Sequence, residues 1–373
     1  MIKELFRKSD VFPNDSVTVW KDQGKKVIGF MCSYFPEEVI HAAGMLPFRI
    51  RGGSCTRTNC SDAVMSNYSC SFARSCLELA MNGTYGFLDG LIGQDSCSQM
   101  ERLYDNWRFR TRLPFMHLLH LPYKNSDAGI EWYRHEISVL IESLEKAFQV
   151  TVTNENLARA IEVYNETRML LRSLYELRRN ENPPLTGAQS QSIILAATSM
   201  PREEYNELLR AALREIRSGE PIRDIRARLM VVGSSIDDPT FIKIIEDQGG
   251  LVVTDALCFG GRYFWEPVDN QGDPLLALAG AYLSRPKCPR MMNEHIPLFE
   301  FITDMVQNYK VDGIIFQKMK FCNFWGGESL FLEKKLKEFR IPFLSIEREQ
   351  DLTNAAQIAT RVEAFIEMIE GAI

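Results

Sequence analysis

Cysteine is the residue type in this chain best placed to carry unusual chemistry. Nine thiols, at positions 32, 55, 60, 70, 76, 97, 258, 288 and 322, occur in 373 residues, and no two of them form a Cys-x-x-Cys pair. A zinc ribbon or a thioredoxin-like redox site therefore lacks its spacing. The first ten residues mix Lys, Glu and Arg with single apolar residues, without the basic-then-apolar order of a secretory signal. The expected compartment is cytoplasmic, where thiols stay reduced. The nine then read as core residues, metal ligands or nucleophiles rather than as a disulfide framework.

Three of them fall at the ends of expected elements. Cys97 follows a strand-like run at 87–92 and precedes a helix expected from Gln99. Cys322 follows a run at 313–316 and precedes a helix expected after Gly327, and Cys70 opens a helix expected over 71–81. The carboxyl ends of strands are where α/β proteins bind ligands, and a helix N-terminus favours a thiolate. Three such thiolates converging on one cleft would hold a 4Fe-4S cluster with one iron open. Cys32 also ends a strand-like run, and spacing does not rank it against the others. Cys76 reads as helix packing, Cys258 and Cys288 carry no metal-selecting spacing, and Cys55 and Cys60 lie in a polar loop. For any single thiol the competing reading is core packing, because free cysteine behaves as a small hydrophobe.

The elements that must position these residues form two similar sets. Strands are expected at 27–31, 47–51, 87–92 and 116–121 with helices at 36–43, 70–81 and 99–107. A second set follows at 229–232, 251–255, 313–316 and 343–346, with a closing helix at 355–368. Alternation of this kind predicts an α/β fold of two doubly wound, Rossmann-like parallel-sheet domains, at 1–127 and 226–373. Residues 128–225 hold no strand pattern and read as a helical connector, broken around Pro183 and Pro184 and restarted at Pro201. A net charge of -6 and a pI near 5.6 argue against a nucleic-acid partner. The sequence offers no apolar run of about 18 residues for a membrane span. The G-x-G-x-x-G, P-loop and G-x-S-x-G motifs are absent, so any ATP must be handled by another chain.

Taken in order, several blocks resemble one family. MCSYFPEEVIHAAG at 31–44 is similar to the opening signature of the 2-hydroxyacyl-CoA dehydratases, a family that includes the benzoyl-CoA reductase subunits. The likeness continues through Cys70-Ser71-Phe72, Asp95-Ser96-Cys97, RLYDNW at 102–107, DGII at 312–315 and Lys320-Phe321-Cys322. It ends on IPFL at 341–344 and TRVEAF at 360–365. The resemblance implies the smaller, beta-type subunit of an anaerobic acyl-CoA enzyme, with Cys70, Cys97 and Cys322 on a 4Fe-4S cluster and Cys32 as the alternate ligand. It further implies a related larger cluster-bearing subunit and a separate ATP-hydrolysing iron-sulfur activator. The implied reaction dehydrates (R)-2-hydroxyacyl-CoA to enoyl-CoA through a ketyl radical. The alternatives are dearomatisation of benzoyl-CoA to a dienoyl-CoA, a double-cubane reductase using further thiols such as Cys32, Cys55 and Cys76, or a non-catalytic electron relay. Where the family often has Asp after the second and third ligands, Ser98 and Asn323 stand here.

Softer candidates are Glu37, Glu38 and His41 as acid or base, against a reading in which glutamates of a first helical turn merely face solvent and complement the dipole. Arg49 and Arg51 could meet CoA phosphates. His117 and His120 read as structural, and Tyr263-Phe264-Trp265 as core packing in preference to an acyl pocket.

Overall fold

The computed structural model describes residues 1–371. It contains two four-stranded sheets, both wholly parallel. The first holds β1 (Val27–Phe30), β2 (Leu46–Arg49), β3 (Gly90–Gln94) and β4 (Phe115–Leu119) in the order β2-β1-β3-β4. The second holds β5 (Ala227–Gly233), β6 (Gly250–Ala256), β7 (Gly313–Met319) and β8 (Phe343–Arg348) in the order β6-β5-β7-β8. The two orders are the same, so the winding reverses between the first and third strands of each sheet. A crevice opens at such a reversal, beyond the carboxyl ends of the strands.

Helices on both faces explain why β1, β2, β3 and β6 are buried at every residue. Gly233 closes β5 with φ at +133°, and an added Cβ would lie 1.8 Å from the Gln317 carbonyl oxygen of β7. Only glycine permits that approach, and it sets Ser234 beside the end of β7.

The middle of the chain is helical, at Asp127–Phe148, Asn154–Leu177, Gly187–Ala197 and Arg202–Arg217. Side-chain caps start three of these: Ser126 Oγ accepts from Gly129 N, Thr153 Oγ1 from Asn156 N, and Thr186 forms a capping box with Gln189. Along Asn154–Leu177, Leu157, Ile161, Tyr164, Leu171 and Tyr175 are buried at helical spacing.

Two details differ from the expectations drawn from the sequence. Helices Ile2–Asp10 and Asp15–Asp22, unforeseen there, precede β1. The helix expected after Gly327 begins instead at Asn323, directly behind Cys322. Gly326 and Gly327 lie within it, where an added Cβ would meet nothing. They look like a break in sequence but are simply tolerated in the first turns.

Candidate metal-sulfur centre between the two sheets

Cys70, Cys97 and Cys322 are each the N-cap residue of a helix, Ser71–Met81, Ser98–Arg110 and Asn323–Glu338 respectively. Cys97 also follows β3 and Cys322 follows β7, so two of the three stand at the crevices of the two sheets. Before Cys322 the backbone turns through Phe321 at φ +65°, a left-handed conformation that a bulky residue adopts only when its surroundings impose it. The Cys322 N–H donates to the Met319 carbonyl at 3.0 Å, and Met319 N donates to Ser234 Oγ at 3.1 Å. This turn is thereby tied to the end of β5. On the other side, Gln350 N donates to Ser71 Oγ at 2.9 Å and joins the first helix to the second half of the chain.

All three thiols border one cavity of about 140 Å³ that also draws on both sheets. Cys32, in the loop after β1, borders it too. Its N–H and that of Met31 both donate to Gln94 Oε1, at 2.8 and 2.9 Å, which fixes the loop to the end of β3. Two thiols without any distinctive spacing complete the set. Cys258 follows β6, and its carbonyl accepts from Arg49 Nη1 at 2.6 Å; Cys288 donates its N–H to the Tyr34 hydroxyl at 3.2 Å. Six of the nine cysteines thus share one cavity. Cys55, Cys60 and Cys76 do not border it.

The thiols are close enough to influence one another across the set. Cys97 is close enough to Cys70 and Cys322 for their charges to resist its ionisation, and Cys70 feels Cys322 in the same way. Cys288 exerts that influence on Cys32 and, with Cys258, on Cys322. Burial is the largest effect on each of Cys32, Cys70, Cys97 and Cys322 and pushes every one up, Cys70 to about 12. The helix dipole alone pointed to thiolates, but desolvation outweighs it. Thiolates persist at such a place only with positive charge beside them.

The donor set suits a thiophilic group. No carboxylate, imidazole or lysine borders the cavity among the described residues, and soft thiolates select copper(I), zinc or iron-sulfur clusters over hard cations. No three His, Cys, Asp or Glu side chains among the described residues close on a point as they do around a single ion. A cubane cluster, whose irons stand at separate corners, spreads its ligands more widely than a lone ion does. Met31, Phe72, Met100, Phe259 and Met319 supply apolar wall, and partly exposed Phe324 lies where it approaches solvent.

The softer candidates lie elsewhere. Glu37 and Glu38 are 2% and 0% exposed rather than solvent-facing, because the middle helices supply them with arginines. Glu38 accepts from Arg168 Nη2 at 2.6 Å and from the Tyr282 hydroxyl at 2.7 Å, while Glu37 pairs with Arg202. His41 Nε2 is 3.3 Å from Glu203. Arg51 is buried and donates to the Ser9 carbonyl at 2.8 Å, so its guanidinium is engaged inside the chain. Arg49 is buried too, but on the cavity wall. His117 is partly buried on β4, and His120 is exposed with Nδ1 2.9 Å from Asp95. Tyr263 and Phe264 are buried in the packing below the middle helices, Tyr263 accepting from Arg202 at 3.0 Å.

Fold and site together define an α/β protein whose two parallel sheets direct their crevices at one thiol-rich cavity. The chain belongs to the family of the 2-hydroxyglutaryl-CoA dehydratase D-component, whose model matches residues 32–369. It is 27% identical over 347 residues to the (R)-phenyllactyl-CoA dehydratase beta subunit of Clostridium sporogenes, covering 93% of this chain and 92% of that one. It is 28% identical over 359 residues to a benzoyl-CoA reductase subunit of Thauera aromatica, covering 94% and 93%. With the beta subunit of (R)-2-hydroxyglutaryl-CoA dehydratase from Acidaminococcus fermentans the identity is 27% over 375 residues, covering 98% of both. No helix among the described residues is long and apolar enough to cross a membrane.

Proposed function

We propose that this chain is an iron-sulfur subunit of an acyl-CoA dehydratase, with Cys70, Cys97 and Cys322 holding a 4Fe-4S cluster. The observation that carries the reading is the arrival of three helix N-caps, from both halves of the chain, at one cavity lined by six thiols and no carboxylate or imidazole among the described residues. When bound, such a cluster supplies a low-potential electron to a thioester carbonyl, which opens a β-elimination that ordinary acid-base groups do not reach. The chain's own residues hold and shield it. The N-terminal helix amides and the thiols bind it, and the Met and Phe wall excludes water. The relatives carry subunit names, which supports a multi-subunit assembly; in this reading a related larger subunit completes it and a separate ATP-hydrolysing activator feeds it. The substrate is an (R)-2-hydroxyacyl-CoA. Anaerobic turnover with an activator, offering a 2-hydroxyacyl-CoA and benzoyl-CoA in parallel, tests this: ring reduction without dehydration overturns the substrate class.

A second reading is favoured by Cys32, Cys258 and Cys288, which add three thiols to the same cavity. They suit a second cubane beside the first, as in the double-cubane reductases. Iron and sulfide analysis after anaerobic purification separates the two: about four irons per chain for one cubane, about eight for two. A metal-free or zinc-loaded protein sinks both.

A further inference from the structure

Arg49, Arg262 and Arg290 border the cavity at 1%, 3% and 2% exposure. Among the described residues all hydrogen-bond partners of the three are neutral groups, with no carboxylate among them. Arg290 donates to the Ser96, Leu121 and Pro122 carbonyls, and Arg262 to those of Ala256 and Lys287. Arg49 donates to the Cys258 carbonyl, lies 3.5 Å over the Phe259 ring, and leaves its buried Nε without a partner. Carbonyls orient a guanidinium but do not neutralise it. The N-termini of three helices add partial positive charge at the same place.

A buried charge left without a counter-charge is strongly unfavourable. An anionic occupant of the cavity would supply the counter-charge that the chain itself does not. All three border the same cavity as the six thiols, and Arg290 Nε donates at 3.2 Å to the carbonyl of Ser96, the residue before Cys97.

We infer that Arg49, Arg262 and Arg290 are fixed counter-cations of the anionic cluster assembly, positioned to raise its reduction potential. This rests on the cluster reading given above. A 4Fe-4S core of charge about +2 on three thiolates carries a net charge of about -1, and each electron gained adds one more negative charge. Positive charge fixed in a dry cavity therefore stabilises the reduced form over the oxidised one. No group moves; the arginines act through the cluster and are positioning residues.

The test is anaerobic redox titration of the whole protein, followed by electron paramagnetic resonance, with iron measured on the same samples. Arg49→Met and Arg262→Met are to be compared with Arg49→Lys and Arg262→Lys. The Met variants are expected to shift the midpoint potential negative by at least tenfold in the one-electron equilibrium, about 59 mV. The Lys variants should shift by less than half as much. If the Met variants lose iron, the Lys variants carry the test: iron retained with a midpoint shifted by less than about 30 mV supports the inference. It is overturned if Met variants with full iron keep the wild-type potential, or if Lys and Met variants change equally in potential or in iron. Wild-type protein without iron would instead sink the cluster reading itself.

Discussion

Arg168 and Arg202, on the middle helices, are as deeply buried as Arg49, Arg262 and Arg290 on the cavity wall, yet the first two meet carboxylates inside the chain and the last three do not. Arg168 pairs with Glu38, and Arg202 with Glu37. Each pair joins the helix Glu37–Ala42 to a middle helix, and Tyr282 and Tyr263 contribute hydroxyls. That region is electrically closed: its charges answer each other and hold elements in register. The cavity wall is electrically open: its three arginines meet only neutral groups of the chain. Burial alone does not separate a structural arginine from a functional one, and neither does the lack of a carboxylate, since Arg51, Arg285 and Arg348 are buried without one. What sets Arg49, Arg262 and Arg290 apart is that they also border a cavity able to take an anionic occupant.

The largest effect that would sharpen this contrast lies with the thiols. Replacing Cys70, Cys97 or Cys322 by Ala is expected to abolish iron retention, because each loss removes a bond to the group that the open region serves. Iron per chain, with circular dichroism confirming native secondary structure, provides the measurement. Variants that stay folded and keep full iron would leave the positive wall facing no cluster at these residues, and the contrast would fail.

In the closed region the corresponding change is a loss of stability without loss of iron. Glu38→Gln leaves the Arg168 guanidinium charged and buried, at an expected cost of about 3–5 kcal/mol in urea unfolding followed anaerobically. Glu38→Leu combined with Arg168→Met should recover most of it, since replacing both members of a buried pair is often close to neutral. The pH dependence has the same origin. Burial would raise the Glu38 carboxyl, but the Arg168 charge and hydrogen bonds from Arg168 and Tyr282 outweigh burial and hold it below 4.5. A carboxyl lowered by folding contributes its full stability above the unfolded value and loses it as the pH falls through the folded one. The wild-type protein should therefore lose stability below pH 4.5, and Glu38→Gln should lose less over that range. Parallel acid titrations of the two would break the assignment.

Much of this architecture is legible in the chain. Alternating apolar runs and amphipathic helices announce two parallel-sheet units, and Cys70, Cys97 and Cys322 stand out as the first residues of expected helices or the residues after expected strands. The strand order, and with it the facing of the two crevices, depends on contacts between distant segments and leaves no local trace. Cys258 is within reach, since it follows a strand as Cys97 does, but the absence of metal-like spacing hides it. Cys288 offers no such signal: it is brought in by Tyr34, 254 residues earlier in the chain. The glutamates of the 31–44 block read as solvent-facing, and wrongly, for the same reason. Arg168 and Arg202 lie 130 and 165 residues away from their partners, and first-turn glutamates carry no mark of a distant cation.

Cys76 gives the smallest effect and guards the contrast from the other side. It sits in the helix that Cys70 opens, at 0% exposure, yet does not border the cavity. Burial pushes its thiol well above 9.0, as befits a group kept neutral among Leu77, Leu79 and the neighbouring core. Cys76→Ala removes one sulfur from that packing and leaves a void smaller than a methylene pair, so the expected cost is about 1 kcal/mol. Iron content and midpoint potential should both equal those of the wild type. A stability loss of that size with unchanged iron places Cys76 with the closed, structural part of the molecule. Loss of iron from a folded Cys76→Ala protein would mean that the set of six cavity thiols is drawn too narrowly, and that burial within this helix does not mark the boundary between packing and ligation.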